Sequence, residues 1–476
     1  MAAPLSAGER EDAVSFYKDI RPILVENCQG CHQPAKAQGK LILTSYAKLM
    51  EGGRDDDELI ISPGKPDDSL LVEEITPEDG EASMPKGAEA LSGAQIELIR
   101  RWITEGAKDD TPASELNISS DNPPVYENLP IVTGIDYSPD GELLAVTGYH
   151  EVVLHKADGS ELVARLIGSS ESAQSVKFSP DGKYLAVTGG NPGVVGEVQL
   201  WDVAKRKLRS SKILTFDTIY GASWSRGGKL LAFGCGDNSV RVIEAASGKQ
   251  VLFQGAHGDW VLGTTFSTDS THLVSVSRDR SMKLIKVENE QFIDNITSIT
   301  PGALKGGLLA VDCHPTKDHV LSCGADGQPK IYRMFREKAR RIGDDFNKIQ
   351  SFEAMPGRIF DGEFDAEGKR VVVGSSSEAK GELRVYPVDS PEEPKKGEEE
   401  KEEKEEKPAK GDTKPTWQLS LDSAVYAVAF SPDGKTVAAA GFSGKVYLVD
   451  AETGKVTLEF VPVPLEAKPE VERRRF

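Results

Sequence analysis

The sequence predicts a multidomain protein. A small all-α domain covers residues 1–110, a linker covers 111–124, and an all-β seven-bladed propeller covers 125–463. Three observations carry this. Segments 11–27, 67–76 and 92–105 place apolar residues at helical spacing. From residue 125 onward a strand-rich unit recurs with a hairpin-turn anchor, which is a repeat architecture rather than one sheet. The length of 476 residues, with 38% hydrophobic and 28% charged side chains, exceeds one domain and has the balance of a folded, water-compatible chain.

The first segment, EDAVSFYKDIRPILVEN, carries Val14, Phe16, Ile20, Ile23 and Leu24 near helical spacing. Pro22 interrupts it and predicts a kink or a second short turn. DDSLLVEEIT at 67–76 reads as a short helix with an acidic first turn. SGAQIELIRRWITE at 92–105 is amphipathic on Ile96, Ile99, Trp102 and Ile103, and Gly106 can end it.

The first helix runs straight into Cys28-Gln29-Gly30-Cys31-His32. Two cysteines three apart followed by histidine is the pattern for covalent haem attachment. The thiols form thioethers with the two vinyl groups, and the histidine is held under the ring as an axial ligand. A zinc half-site would need a second Cys/His cluster nearby, and a redox dithiol would sit in a βαβ context; neither is present. The predicted cofactor is therefore one haem c on Cys28 and Cys31, with His32 as the proximal iron ligand.

The sixth ligand is expected from Met84 in the loop Ser83-Met84-Pro85-Lys86-Gly87, 52 residues beyond His32 and far enough to reach the opposite face. Met50, 18 residues beyond His32, is the rival; it ends SYAKLM, which reads as ordinary core. No other histidine precedes residue 150.

VSFYKDIRPILVENCQGCH, SPGKPDDSLLVEEI, SMPKG and LIRRWITEGA follow one another in order. Over about residues 12–110 they resemble the c-type cytochrome domain found fused to other modules in Planctomycetes and related bacteria. That resemblance implies a class I cytochrome c fold with His/Met ligation.

The propeller anchors are YSPDG at 137, FSPDG at 178, WSRGG at 224, FSTDS at 266, CHPTKD at 313, FDAEGK at 364 and FSPDG at 430, spaced 41, 46, 42, 47, 51 and 66 residues apart. Each is followed by two short apolar strands and usually a fourth, which is the signature of a propeller blade. The unit resembles the WD repeat, with Trp201-Asp202 as its one literal dipeptide. His257, Ser275 and Asp279 come nearest that family's internal hydrogen-bond network, with Ile285 in place of its tryptophan. The last strand, KVTLEFV, lies within its own repeat, so closure by strand exchange is not required. The widest interval contains the Glu/Lys tract at 390–416, expected as a solvated insertion, and 464–476 reads as a polar, frayed tail.

The net charge is −19, from 57 basic and 76 acidic residues, and Asp55-Asp56-Asp57-Glu58 is the sharpest acidic cluster. A nucleic-acid role is disfavoured, because phosphate backbones select basic faces. No apolar run is long enough to span a membrane. MAAPLSAGERED has neither a basic nor an apolar leader region, so no signal peptide is read in this chain. Thioether attachment of haem nevertheless belongs outside the bacterial inner membrane, so a periplasmic or other extracytoplasmic setting is expected, with an export signal removed. Cys235, Cys313 and Cys323 lie in apolar strands and are expected as buried free thiols.

A haem held by histidine and methionine has no open coordination position, so one-electron transfer is its expected work. The propeller is then a docking platform for a redox partner protein, which is expected to meet it and the haem edge. The alternatives are a redox enzyme with a second cofactor in the propeller and a haem-containing scaffold or redox sensor. The six propeller histidines (His150, His155, His257, His272, His314 and His319) are scattered over different repeats and argue against the enzyme.

Overall fold

The computed structural model describes residues 13–33, 36–53, 59–78, 80–111, 118–120, 122–298, 305–339, 341, 345–389 and 412–465. Two compact units divide the chain, one reaching Ile118 and the other holding almost everything from Ser119 onward. The acidic cluster at 55–58, the bulk of the Glu/Lys tract (390–411) and the tail from 466 lie outside the described residues.

In the N-terminal unit the first predicted helix is two pieces. Phe16–Ile20 is a π-helical turn, and α1 (Arg21–Asn27) follows it directly. Pro22 is the reason. It has no N–H to continue the ladder, so the wide turn resets the register and places Pro22 in the first turn of α1, where no donor is needed. Ser15 caps the turn by accepting from Lys18 N at 2.9 Å.

α2 (Tyr46–Glu51) is a helix that the sequence reading treated only as core, and Ser45 caps it. α3 (Leu70–Ile75) follows a 3-10 turn at Pro66–Asp68. α4 (Gly93–Thr104) begins with a capping box between Ser92 and Gln95, and Gly106 (φ 98°) ends it in the left-handed region. Ile20, Leu24, Leu49, Ile75, Ile99, Trp102 and Ile103 form the core. The Phe16 ring lies 5.4 Å from Trp102 and 5.2 Å from Tyr46. Tyr46 Oη donates to Ala107 O at 2.9 Å and Trp102 Nε1 to Lys108 O at 3.0 Å, so the buried aromatics also pin the chain leaving α4.

The C-terminal unit is a series of antiparallel sheets of the kind WD-repeat propellers contain. The first joins β3 (Ile135–Tyr137), β4 (Leu143–Thr147), β5 (Tyr149–Lys156), β6 (Leu162–Phe178), β7 (Tyr184–Asn191), β8 (Val195–Asp202) and β9 (Lys207–Thr215), where β1 (His32–Gln33) and β2 (Lys36–Ala37) are a short pair in the N-terminal unit. Five four-stranded sheets follow over 219–254, 261–295, 308–351, 358–421 and 425–460.

The anchors explain the recurrence. In five of them a serine (Ser138, Ser179, Ser225, Ser267 and Ser431) accepts at 2.9 Å from the backbone N–H five residues on. A glycine at the fifth position takes the left-handed conformation that closes the turn in four of those five, Gly141 at φ 74° for example, and Ser270 at φ 61° stands in for it in the other.

One strand departs from the expectation of four per repeat. β6 is 17 residues long; its first half pairs with β5 and its second half with β7, which merges the first two repeats into one sheet. The middle of β6 has no proline and Gly168 as its one glycine, so nothing forces the chain out of the extended form.

The first strands also meet the last sheet. Val132 N donates to Gly441 O at 3.0 Å, and Ile135 and Val146 share a core with Ala427, Ala438 and Val446. Tyr126 bridges Leu465 in parallel, so Leu465 belongs to the fold rather than to the frayed tail in which the sequence placed it. A second boundary moves in the same way. The end of the Glu/Lys tract is held, because Thr413 N donates to Ser351 O at 2.9 Å and Gln328 Nε2 to Asp412 Oδ2 at 3.0 Å. Composition hid this contact, which rests on backbone pairing and not on an apolar side chain.

Candidate functional site

The turn after α1 carries Cys28 to His32. Cys28 N continues the helix to Leu24 O at 3.0 Å, and His32 N then returns to Cys28 O at 3.1 Å. The backbone thus folds the two cysteines and the histidine over one helical end. β1 and β2 fix what comes next, pairing His32 with Ala37. Gly39 (φ 63°) and Lys40 (φ 59°) are both left-handed, a reversal that glycine makes cheaply.

That reversal leaves the Gln38 carbonyl 3.0 Å from His32 Nδ1. A carbonyl can only accept, so Nδ1 carries the proton and the lone pair resides on Nε2, the tautomer a metal-binding imidazole needs.

Cys28, Cys31, His32 and Met84 all line one cavity of about 340 Å³. Its other walls are mostly carbon: Leu41, Leu43, Ile60, Leu70, Leu71, Ile75 and Pro85. Met84 comes to it from 52 residues along the chain, and its N–H is tied to Glu74 O on α3 at 2.8 Å. Met50, on α2, packs against the core and is not among the residues that line the cavity. Burial pushes the Cys28 thiol up to about 11, so it stays protonated at neutral pH.

The residues present fit a haem. They supply two thiols and an imidazole from one turn, a thioether from a distant loop, and an apolar enclosure. Glu74, Lys86 and the Gln38 carbonyl also belong to this site, and sequence reasoning missed them because nothing in their spacing links them to the Cys-x-x-Cys-His pattern.

In the C-terminal unit, His257 Nδ1 lies 2.9 Å from Asp279 Oδ2 and His257 Nε2 lies 2.8 Å from Ser275 Oγ. The expected partial network is therefore made, and Ile285 is buried in an apolar cluster with Leu273 and Val261. Trp201 uses a different one: its Nε1 donates to Gln199 Oε1 at 3.0 Å, and Gln199 in turn donates to Glu197. Of the three other cysteines, Cys235 and Cys323 are buried, whereas Cys313 is half-buried, with Sγ 3.5 Å from His314 O. Cys313 ends its strand next to the turn, which is why it is less covered than an apolar strand suggested.

A second cluster lines a cavity of about 380 Å³: Asp136, Lys177, Asp312, Asp361 and Glu363. Four of these, Asp136, Lys177, Asp312 and Glu363, stand two residues before the second residue of their anchors, the position Ser138 holds in the first. Charge at one fixed repeat position was the signal that could have found them.

Residues 28–87 match the family model described as planctomycete cytochrome C. Residues 160–195, 248–286 and 414–450 match the WD domain, G-beta repeat. Among curated proteins, the chain is 30% identical over 96 residues to Striatin-4 of Mus musculus, covering 20% of this chain and 12% of that protein. It is 22% identical over 254 residues to a component of chromatin assembly factor 1 from Gallus gallus, covering 53% and 36%. It is 28% identical over 145 residues to the ribosome biogenesis protein WDR12 homolog of Chlamydomonas reinhardtii, covering 28% and 33%. The chain thus spans well under half the length of these relatives.

Proposed function

We propose that this chain, which joins a planctomycete-type cytochrome c segment to WD repeats, is an extracytoplasmic one-electron carrier with an interaction platform attached. The observation that carries the proposal is the convergence of Cys28, Cys31, His32 and Met84 on one carbon-walled cavity. In this reading Cys28 and Cys31 would hold a single haem through thioethers, and His32 and Met84 would be the residues that ligate its iron. The haem supplies a reversible one-electron couple and no open coordination position.

The chain's own residues do the rest. Gln38 O fixes the His32 ring in the tautomer with Nε2 available. The backbone tie from Met84 to Glu74 holds the thioether loop on α3. Leu41, Leu43, Ile60 and Leu71 exclude water, which favours the less charged, reduced state and a higher potential.

The WD repeats support a protein-interaction role directly. We read the sheets as seven blades in a closed ring, supported by the division of β6 between two repeats and by the core shared between β3, β4 and the last sheet. The ring's two loop faces then offer docking surfaces for a redox partner protein. No helix among the described residues is long and apolar enough to cross a membrane. The extracytoplasmic setting rests on the haem chemistry.

The test is the intact mass and the reduced and oxidised spectra of protein made with haem-maturation machinery. One added haem that survives acid–acetone extraction, with c-type bands, is expected. Loss of the haem on extraction rejects thioether attachment, and additional chromophore bands move an enzymatic reading to first place.

A further inference from the structure

The cavity next to His32 and Met84 carries two formally charged side chains among its described lining residues, Glu74 and Lys86. Neither side chain makes an ion pair or hydrogen bond with another of the described residues. Lys86 is exposed, two residues beyond Met84, in a loop whose backbone is fastened to α3 through Met84 N and Glu74 O. A cation left uncommitted at the edge of an otherwise carbon-walled cavity suits an anionic group on whatever fills it.

We infer that Lys86 is the residue that pairs with a haem propionate and thereby helps to set the reduction potential; this rests on the cytochrome reading above. Burying a macrocycle against leucine and isoleucine is favourable, but its two ionised propionates need water or a cation. Lys86 is the one cation the described wall offers, and Glu74 carries the opposite sign. The ammonium offsets propionate charge near the iron. That charge favours the oxidised state, so Lys86 raises the potential and Glu74 lowers it. Because Lys86 is exposed, the pair contributes little to haem retention once the thioethers exist, and its effect is read in the potential.

The experiment uses the full chain, haem-loaded, with redox titrations from pH 5 to 8 on the native protein, Lys86→Arg, Lys86→Gln and Glu74→Gln. Lys86→Gln is expected to have a lower midpoint potential than native. Its potential should stay below native across that range. Lys86→Arg should stay close to native. Glu74 is the other carboxylate on the wall and contributes equally to both lysine variants, so their difference isolates position 86. Glu74→Gln should shift the potential upward.

A haem-loaded Lys86→Gln protein with native potential at every pH overturns the inference. So does a variant in which only the salt dependence of electron exchange with ferricyanide changes, since that assigns Lys86 to steering an external reactant. Failure of the cytochrome reading is distinguishable from both, because the native chain would then carry no haem mass at all.

Discussion

Lys177 Nζ lies 2.9 Å from Asp136 Oδ1 and so joins β6 to β3. The same ammonium lies 3.8 Å from Glu363 Oε2. Desolvation works against its charge, but Asp136, Glu363 and Asp361 outweigh it and hold its pKa well above that of a free lysine. Each neighbouring aspartate also accepts a backbone N–H from another strand: Asp136 from Phe178 at 2.7 Å, Asp312 from Phe364 at 2.9 Å and Asp361 from Val428 at 2.9 Å. The cluster therefore stitches strands together while it concentrates negative charge.

One consequence is a defined pH response at Asp312. Burial raises its carboxyl to about 6, against an ordinary value of 3.8. A raised folded pKa means that the folded state binds the extra proton. The stabilisation is full at low pH and is lost as pH rises from about 4 through about 6. Asp312→Asn keeps an acceptor for Phe364 N and removes the charge. Its stability relative to native, from urea unfolding, should improve between pH 4.5 and 7. A constant difference across that range would show that Asp312 does not titrate there.

Asp279 has the opposite sign. Burial alone would raise its pKa, but hydrogen bonds from His257, Ser281 and Gly258 N hold it below the usual carboxylate range. Its contribution is present at neutral pH and fades as pH falls below about 4. Asp279→Ala should cost roughly 1.5–3 kcal/mol at pH 7. The loss should shrink on acidification, which thermal melts at pH 7 and pH 3 would check. Equal losses at both values would assign the effect to packing.

The methionines separate by function. Met84→Ala should abolish the weak thioether-to-iron band in the far red and lower the potential, because Met84 lines the cavity. Met50→Ala should leave both unchanged and cost about 1–2 kcal/mol, below the range for a fully buried methionine, because Met50 is partly buried against the core. If the band disappears in Met50→Ala instead, the ligand assignment is wrong.

Much of this was legible in the sequence for a physical reason. Cys28, Cys31 and His32 were legible from spacing along one turn, and five of the seven anchors from a serine that caps its own turn, both of which are local. That Met84 reaches the same cavity was legible only because few thioethers compete with it. The contributions of Lys86, Glu74 and Gln38 depend on the chain returning to the cavity, which spacing does not encode. β6 is continuous where four strands per repeat implies a break, because strand breaks are signalled by Gly and Pro and its middle carries only Gly168. The hold on Thr413 escaped because backbone pairing leaves no compositional mark.

That last contact sharpens what can be removed from the Glu/Lys tract. Residues 390–411 contain no hydrophobic side chain beyond Ala409, and the cost of closing a loop grows only logarithmically with its length. Replacing them with a short Gly/Ser link should change stability by about 1 kcal/mol or less. Extending the deletion through 416 removes the bond Thr413 N donates to Ser351 O, the one Thr413 O accepts from Glu353 N, and those Asp412 accepts from Gln328 and Ser351. At roughly 1 kcal/mol for each net hydrogen bond, that larger deletion should cost several kcal/mol. Urea unfolding of the two deletions side by side decides the matter. Equal stabilities would mean that the bonds at 412–413 contribute nothing, and a large loss in the shorter deletion would mean that the charged tract itself packs on the protein.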